Sequence, residues 1–427
     1  MIHFGDIFTS LQYDLVHSGI LYSVLQIIIT FSPVILLLIL WLIFWPLWVN
    51  YVRSYFIFTT KKAVLEIRLP KELHKSPLAM EIFLGSLHNT SDGSNFAQYW
   101  KGEFRLNVTL EIASIDGVVR FFLWLEDRRK HAIIGALYSQ FPGIEVHEVE
   151  DYTKNIFFDP SVMKLWGGEF IFTKPDPYPI KTYVDYGLDK DPKEEYKVDP
   201  MTPTIELLGN LPPNQQIWIQ YMLRAHKDEQ RKPGHLMKKT DLWKDQAREE
   251  VNKILIRDPK TKVSGERDEA TGFTKLPSIS KGEQDVVEAL ERSITKPAFD
   301  VVIRTIYFAP RETFDKPNGM GGIISSFKHY STEHLNGFKP DGSKWPAKFK
   351  GSPWEDYKNM RLNRQCRLVL EAYKRRCGFY DPFKSKPLVM NIEELATMYH
   401  FPGQVATTPS LNRVPSKKYE APANLPI

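Results

Sequence analysis

The chain has 427 residues, 25% of them charged and 13% aromatic, with a formal net charge of +5. That composition excludes a disordered or low-complexity protein, and so mild a charge permits an anionic partner without demanding one. Two cysteines in the whole chain exclude a disulfide framework and a cysteine-rich metal module.

Residues 1–19 carry Asp6 and Asp14 and neither Lys nor Arg. Residues 20–49 (ILYSVLQIIITFSPVILLLILWLIFWPLWV) then contain no Lys, Arg, Asp, Glu or His. At about 1.5 Å per residue this run spans a hydrocarbon core of ~30 Å with length to spare. A cleaved signal peptide needs positive charge before a short apolar core and a small-residue site after it. This run is too long and ends in Trp45, Pro46, Leu47 and Trp48, so a permanent transmembrane helix over 20–50 is expected, with Pro33 and Pro46 as points where it kinks or ends. Two crossings would need roughly 40 apolar residues. Arg53, Lys61 and Lys62 follow, and the positive-inside rule then puts the bulk of the chain in the cytoplasm and residues 1–19 outside. Trp41, Trp45 and Trp48 fall at i, i+4 and i+7 on one helix face. With Tyr51 and Arg53 they make the expected membrane interface, a stripe against another membrane helix being the alternative reading.

Residues 62–152 are the clearest soluble stretch. AVLEIRL (63–69) alternates as a strand; PLAMEIFLGSLH (77–88) has helical spacing with Pro77 in its first turn. Phe104, Leu106, Val108, Leu110 and Ile112 alternate with polar residues in a second strand, Asp116-Gly117 marks a tight hairpin, and Val119, Phe121, Leu123 and Leu125 form the inner face of a third. A helix over 128–141, stopped by Pro142-Gly143, and a strand over 144–150 complete the set. Strand, helix, strand, strand, helix, strand is the order of a ferredoxin-like, split βαβ domain with an antiparallel sheet, a superfold that says nothing of activity.

Residues 167–340 read as a second α+β domain with a weaker version of that order: strands at 168–174, 215–225 and 299–309, helices at 200–210, 284–295 and 319–336. An insert at 227–282, dense in charge, holds one amphipathic helix marked by Leu242, Ala247, Val251, Ile254 and Leu255. Residues 355–378 form a basic amphipathic helix with Leu362, Cys366, Val369, Leu370 and Tyr373 on its buried side. Cys366 and Cys377, eleven residues apart on that helix, are about 16 Å from each other, too far for a disulfide. A docking helix and a Pro-rich tail occupy 391–427.

Catalytic constellations are missing. There is no G-x-x-x-x-G-K-[ST], no H-E-x-x-H and no G-x-S-x-G, so no catalytic residue, metal or cofactor is expected. Gly319, Gly321 and Gly322 lack the third glycine and the acidic residue of a dinucleotide fingerprint and read as a flexible loop. Arg361, Arg364, Arg367, Arg375 and Arg376 leave three readings open: a solvated face, non-specific phosphate contact with DNA, or contact with anionic lipid head groups.

NIEELATMYHFPG (391–403) and TTPSLNRVPSKKYEAPANLP (407–426) resemble the segment that precedes the motor domain in bacterial membrane-anchored pumping ATPases, the HerA-like and conjugative coupling-protein relatives of type IV secretion systems. GEFIFTKPDPYPIKTY (168–183), QQIWIQ (215–220) and HLNGFKP (334–340) are similar to an uncharacterised N-terminal domain found in that context. The resemblance implies a single-pass subunit of the bacterial inner membrane. It also implies a nucleotide-binding core that should begin near Ile427, so that the ATPase is a separate polypeptide or has been lost. Glu393, Leu395, Tyr399 and His400 are then either a docked terminal helix or the docking element for that separate ATPase. The expected function is a non-enzymatic, membrane-anchored subunit of a type IV secretion-like or DNA-translocating machine, acting in an oligomeric assembly. A general membrane-tethered adaptor with no nucleic-acid or secretion role is the alternative.

Overall fold

The computed structural model describes residues 20–70, 75–115, 117–189, 198–227, 230–231, 239–240, 242–255, 280–342, 354–403 and 413–414. The chain divides into two compact units, one of Met1–Thr60 with Ser91–Phe104, the other of Lys61–Thr90 with Arg105–Ile427.

The first unit is built on helix α1 (Ile20–Thr59). Pro33 and Pro46 lie inside it and neither ends it, so the helix runs nine residues past the expected end of the span, and its 40 residues are about 60 Å long. Side chains from Ile28 to Leu47 are largely exposed, with a mean hydropathy of 2.6 over the most apolar window. By length and composition α1 can cross a membrane. Residues 91–104 pack on its C-terminal part through a short π-helical turn, Ala97–Lys101; Phe104, expected to open the second strand, belongs here, and that strand begins at Val108.

The second unit is built on one mixed-origin sheet. Strand β1 (Lys62–Pro70), helix α2 (Pro77–Leu87), strands β2 (Val108–Ile115) and β3 (Val118–Glu126), helix α3 (Lys130–Gln140) and strand β4 (Glu145–Val149) come in the expected sequence, with Ser76 capping α2 and Pro77 in its first turn. The β2–β3 connection has two residues, Ile115 pairing Val118, and Gly117 has the positive φ such a turn requires. These strands lie in the order β4-β1-β3-β2, all antiparallel. Strand β5 (Met163–Phe172), helix α4 (Thr202–Gly209), strand β6 (Gln216–Ala225), the two-residue strands β7 (Gln230–Arg231) and β8 (Lys239–Thr240), helices α5 (Leu242–Ile254) and α6 (Lys281–Thr295), strand β9 (Ala298–Pro310), helix α7 (Gly322–Lys328) and strand β10 (Phe338–Pro340) follow. Here the strand order is β10-β5-β9-β6, again antiparallel. Strands β2 and β6 pair with each other, Ile112 opposite Ile219, so the stretches 62–90, 105–152 and 167–340 share one sheet and lie in one compact unit, while 91–104 of the expected first domain belongs to the unit of α1. Strand β11 (Leu388–Asn391) extends the β5 edge of β9, and β12 (Arg413–Val414) pairs in parallel with the end of β1.

One sheet face carries Leu65, Ile67, Leu110, Ile112, Phe121, Leu123, Ile217, Ile219 and Tyr221. It is covered by Met80 and Phe83 of α2, Ile133 and Leu137 of α3, Ile205 and Leu208 of α4, Ile323 and Phe327 of α7, and helix α9 (Ile392–Met398). The opposite face is buried too. Val64, Phe122, Trp124, Trp218, Ile306 and Phe308 meet Cys366, Leu370 and Tyr373 of helix α8 (Met360–Lys374) and Tyr152. That second cover is why β2 reads as alternating in sequence yet is buried along nearly its whole length.

Three expectations change. The helix expected over 319–336 is confined to Gly322–Lys328 after a π-helical turn, Pro317–Gly321. Gly319 and Gly322 are helical rather than loop residues: a Cβ on Gly319 would overlap the Tyr307 ring and one on Gly322 would overlap Leu207. The basic helix is shorter than 355–378, preceded by the 3-10 turn Tyr357–Asn359 and ended at Lys374, so Cys377 lies beyond it, and both cysteines are free. The amphipathic helix of the insert is α5, with Trp243, Ala247 and Val251 buried; 1–19 and most of 227–282 and 404–427 lie outside the described residues.

Candidate functional site

On α1, Trp41, Tyr51 and Arg53 are exposed, whereas Trp45 and Trp48 are half-buried. What covers them is the turn Ala97–Lys101. The Trp48 indole N–H donates to the Tyr99 carbonyl at 3.1 Å. Trp45 meets Tyr99 and Trp100 with ring centroids 5.8 and 6.3 Å apart, and Trp48 meets Trp100 at 5.8 Å. The signal for this turn was present in the sequence as the aromatic cluster Phe96, Tyr99 and Trp100, in a stretch without strand or helix periodicity.

In the sheet unit, the densest polar arrangement is a row across four adjacent strands. Glu111 on β2 lies opposite Gln220 on β6, Gln220 opposite Arg304 on β9, and Arg304 opposite Glu169 on β5. All four are buried. Gln220 donates to Glu111 at 2.7 Å, and Arg304 pairs with Glu169 at 2.6 Å. The row also holds the C-terminal end of α8: Arg304 donates to the carbonyls of Ala372 and Cys377, and Gln220 to that of Tyr373. There the backbone closes with Cys377 N–H on Ala372 O and Arg376 N–H on Tyr373 O, and Arg376 takes a positive φ of 48° where glycine is usual.

Arg376 is therefore not part of a phosphate-binding face. It is 1% exposed, pairs with Glu111 at 2.9 Å, and pairs with Asp151. Burial acts to raise the Asp151 pKa, but the guanidinium charge and hydrogen bond outweigh it and hold the carboxyl below its usual range. Burial likewise pushes the Cys366 thiol up to about 12, the state of an unreactive core cysteine.

Arg361, Arg364 and Arg367 are exposed on α8 and Arg375 just past its end, Arg375 in a surface pair with Glu371 at 3.5 Å. Beside them the N-terminal end of α8 borders a cleft of about 450 Å³ whose walls include Lys164, Arg311, Lys316, Lys358, Asn359 and Asn363. Lys358 and Asn359 are consecutive non-glycine residues with positive φ, and the buried Asp356 carboxylate accepts the Arg361 and Leu362 N–H groups at 2.7 and 3.0 Å to start the helix. Among the described residues, none of Lys164, Lys316 or Lys358 is ion-paired with a carboxylate.

The four expected docking residues are all buried within the sheet unit and offer a partner no side chain. Glu393, 1% exposed, pairs with Lys296 at 2.7 Å and Arg292 at 3.3 Å. Leu395 lies in the main core, and the Tyr399 ring meets Phe121 edge-on at 5.8 Å. His400 sets Nε2 against Asp199 at 3.2 Å and Nδ1 against the Ala396 carbonyl at 2.9 Å. An imidazolium satisfies both acceptors. Burial acts to lower the His400 pKa, but the Asp199 charge and these hydrogen bonds raise it. Every residue of α9 is covered, and Asn391 and Glu394 cap its start, so these residues form a docked terminal helix, with partners on distant segments filling the places a separate protein would need.

No group of three or more metal-ligating side chains occurs among the described residues. No protein-family model matches the chain, and no curated protein matches it.

Two outcomes follow from the ion pairs. Arg376→Ala strands Glu111 and should cost roughly 3–5 kcal/mol, read as a lower urea midpoint for the full-length protein in detergent; Arg376→Met combined with Glu111→Gln should recover part of the loss. His400 has a raised folded pKa, so its contribution is complete below about pH 6.5 and disappears as pH rises through the folded value. The melting-temperature gap between wild type and His400→Gln should therefore be widest below about pH 6.5 and narrow as pH rises through the raised folded value.

Proposed function

We propose that this chain is a non-enzymatic, membrane-anchored subunit of a type IV secretion-like or DNA-translocating machine, single-pass in a bacterial inner membrane with its sheet unit in the cytoplasm. The observation that carries the reading is the joining, in one chain, of an apolar helix able to span a bilayer to a broad antiparallel sheet unit. The charge order, with Arg53, Lys61 and Lys62 after the apolar run, supports the orientation. Each half of the sheet is read as a ferredoxin-like split βαβ unit; the orders β4-β1-β3-β2 and β10-β5-β9-β6, each with helices after the first and third strand, support this. Joined through β2 and β6, the two make a broad scaffold.

Phosphate contact is assigned to the exposed Arg361, Arg364 and Arg367 together with the cleft cations Lys164, Arg311, Lys316 and Lys358. The contact is non-specific, because cations and amides without a groove-reading element hold backbone phosphates rather than bases. A separate HerA-like ATPase remains the proposed partner, but it must use another surface than Glu393, Leu395, Tyr399 and His400.

Full-length protein, cross-linked in membranes and purified in detergent, should bring a P-loop ATPase with it in near-equal amount by mass spectrometry. Recovery of envelope proteins alone would favour the general adaptor. Duplex DNA binding by the same preparation should weaken steeply with salt, and replacing Arg361, Arg364 and Arg367 by Ala should reduce the salt slope by about 3. An unchanged slope would remove DNA from the proposal.

A further inference from the structure

Residues 91–104 sit between α2 and β2 in sequence, yet they belong to the compact unit of α1. They dock on α1 at one level. Tyr99 and Trp100 meet Trp45 and Trp48, and Phe104 meets Phe56 with ring centroids 5.7 Å apart. Between these contacts Gly102, with φ of 69°, brings its backbone so close to α1 that a Cβ would overlap the Val52 carbonyl. The segment is thus held at a fixed height, and that height brackets Arg53, the first charge after the apolar run.

The docking does not hide the segment's aromatic surface. Phe96 is 63% exposed and Trp100 54%, with Trp41 and Tyr51 of α1 exposed beside them. Arg53 and Lys101 are exposed in the same stretch. In water this would be a costly display for a turn tied down by a buried glycine and an indole hydrogen bond. In the boundary between headgroups and acyl chains it is the favoured arrangement: aromatic rings with one apolar side, and cations at phosphate level.

We infer that residues 91–104 form a membrane-interface collar, which inserts Phe96 and Trp100 into the headgroup–acyl boundary of the bilayer and fixes the depth at which α1 leaves it. The occupant is lipid, because the exposed rings continue the uncovered apolar surface of α1 rather than forming a patch apart from it. The collar rests on the reading of α1 as a membrane span. It adds a second contact with the bilayer, supplied by a segment that begins at Ser91, well after α1 ends at Thr59. Trp45 and Trp48 act as its seat, and Gly102 as the point of closest approach.

The test uses full-length protein in vesicles of phosphatidylcholine and phosphatidylglycerol, spin-labelled at one introduced cysteine at a time. Leu37→Cys reports the span, Phe96→Cys and Trp100→Cys the collar, and Tyr138→Cys, exposed on α3, the sheet unit. Unmutated protein, whose Cys366 is buried and Cys377 half-buried, supplies the background. Collisions with oxygen, which partitions into lipid, and with a nickel chelate, which stays in water, give the depth of each label. Labels at 96 and 100 should read between those at 37 and 138, with nickel collisions several-fold below those at 138. Gly102→Val should raise label mobility at 96 and shift the depth read at 37; an unshifted depth at 37 with a loosened label at 96 would overturn the depth-setting role. Collar labels matching Tyr138→Cys while Leu37→Cys reads hydrocarbon would overturn the collar and keep the anchor. Collar labels shielded from both reagents would show a protein contact, such as a second copy, and overturn it as well. A water-exposed label at 37 would remove the anchor and the collar together.

Discussion

The sheet unit depends on the polar row Glu111–Gln220–Arg304–Glu169 beneath α8. A sheet with one solvated face needs no such row; a sheet covered on both faces must give every inward polar group a partner, since an unpaired buried charge costs several kcal/mol. Here each member pairs with its cross-strand neighbour, and the spare donors reach the last carbonyls of α8. The orphan carbonyls at a helix end and the buried donors of a sheet satisfy one another. Arg376 completes the arrangement at the cost of a left-handed backbone, about 1–2 kcal/mol, which the ion pairs with Glu111 and Asp151 offset.

That row also explains why the basic helix has two kinds of arginine. Those on its outer surface, Arg361, Arg364 and Arg367, are exposed to solvent. Arg376, past the last helical turn, is drawn inward by two carboxylates. A charge count along the segment treats them alike, because the distinction lies in residues 225 and 265 positions away that only the folded sheet brings to the helix end.

Much of the fold was legible beforehand. The helices and strands of 62–152, the hairpin at Gly117, the amphipathic α5 and the apolar α1 all follow from periodicity and turn chemistry that act within a few residues. Errors gathered where long-range packing overrides local pattern. For Glu393, Tyr399 and His400 local pattern does not choose between a docked terminal helix and a docking element, and tertiary partners at Lys296, Phe121 and Asp199 bury them. Gly319 looks like a hinge and is a packing contact with Tyr307. Phe96, Tyr99 and Trp100 belong to no periodic run, so nothing local connects them to the apolar helix far upstream.

The sequence alone determined that one helix is long and apolar enough to cross a bilayer, because hydropathy is a sum over neighbours and needs no tertiary partner. It determined the order of strands and helices for the same reason. Only the tertiary structure decided that β2 and β6 join two halves into one sheet, which polar side chains are satisfied inside, and that residues 91–104 close on α1. Each of these is a pairing between positions far apart in the chain, and local pattern carries no record of which distant group fills a given place.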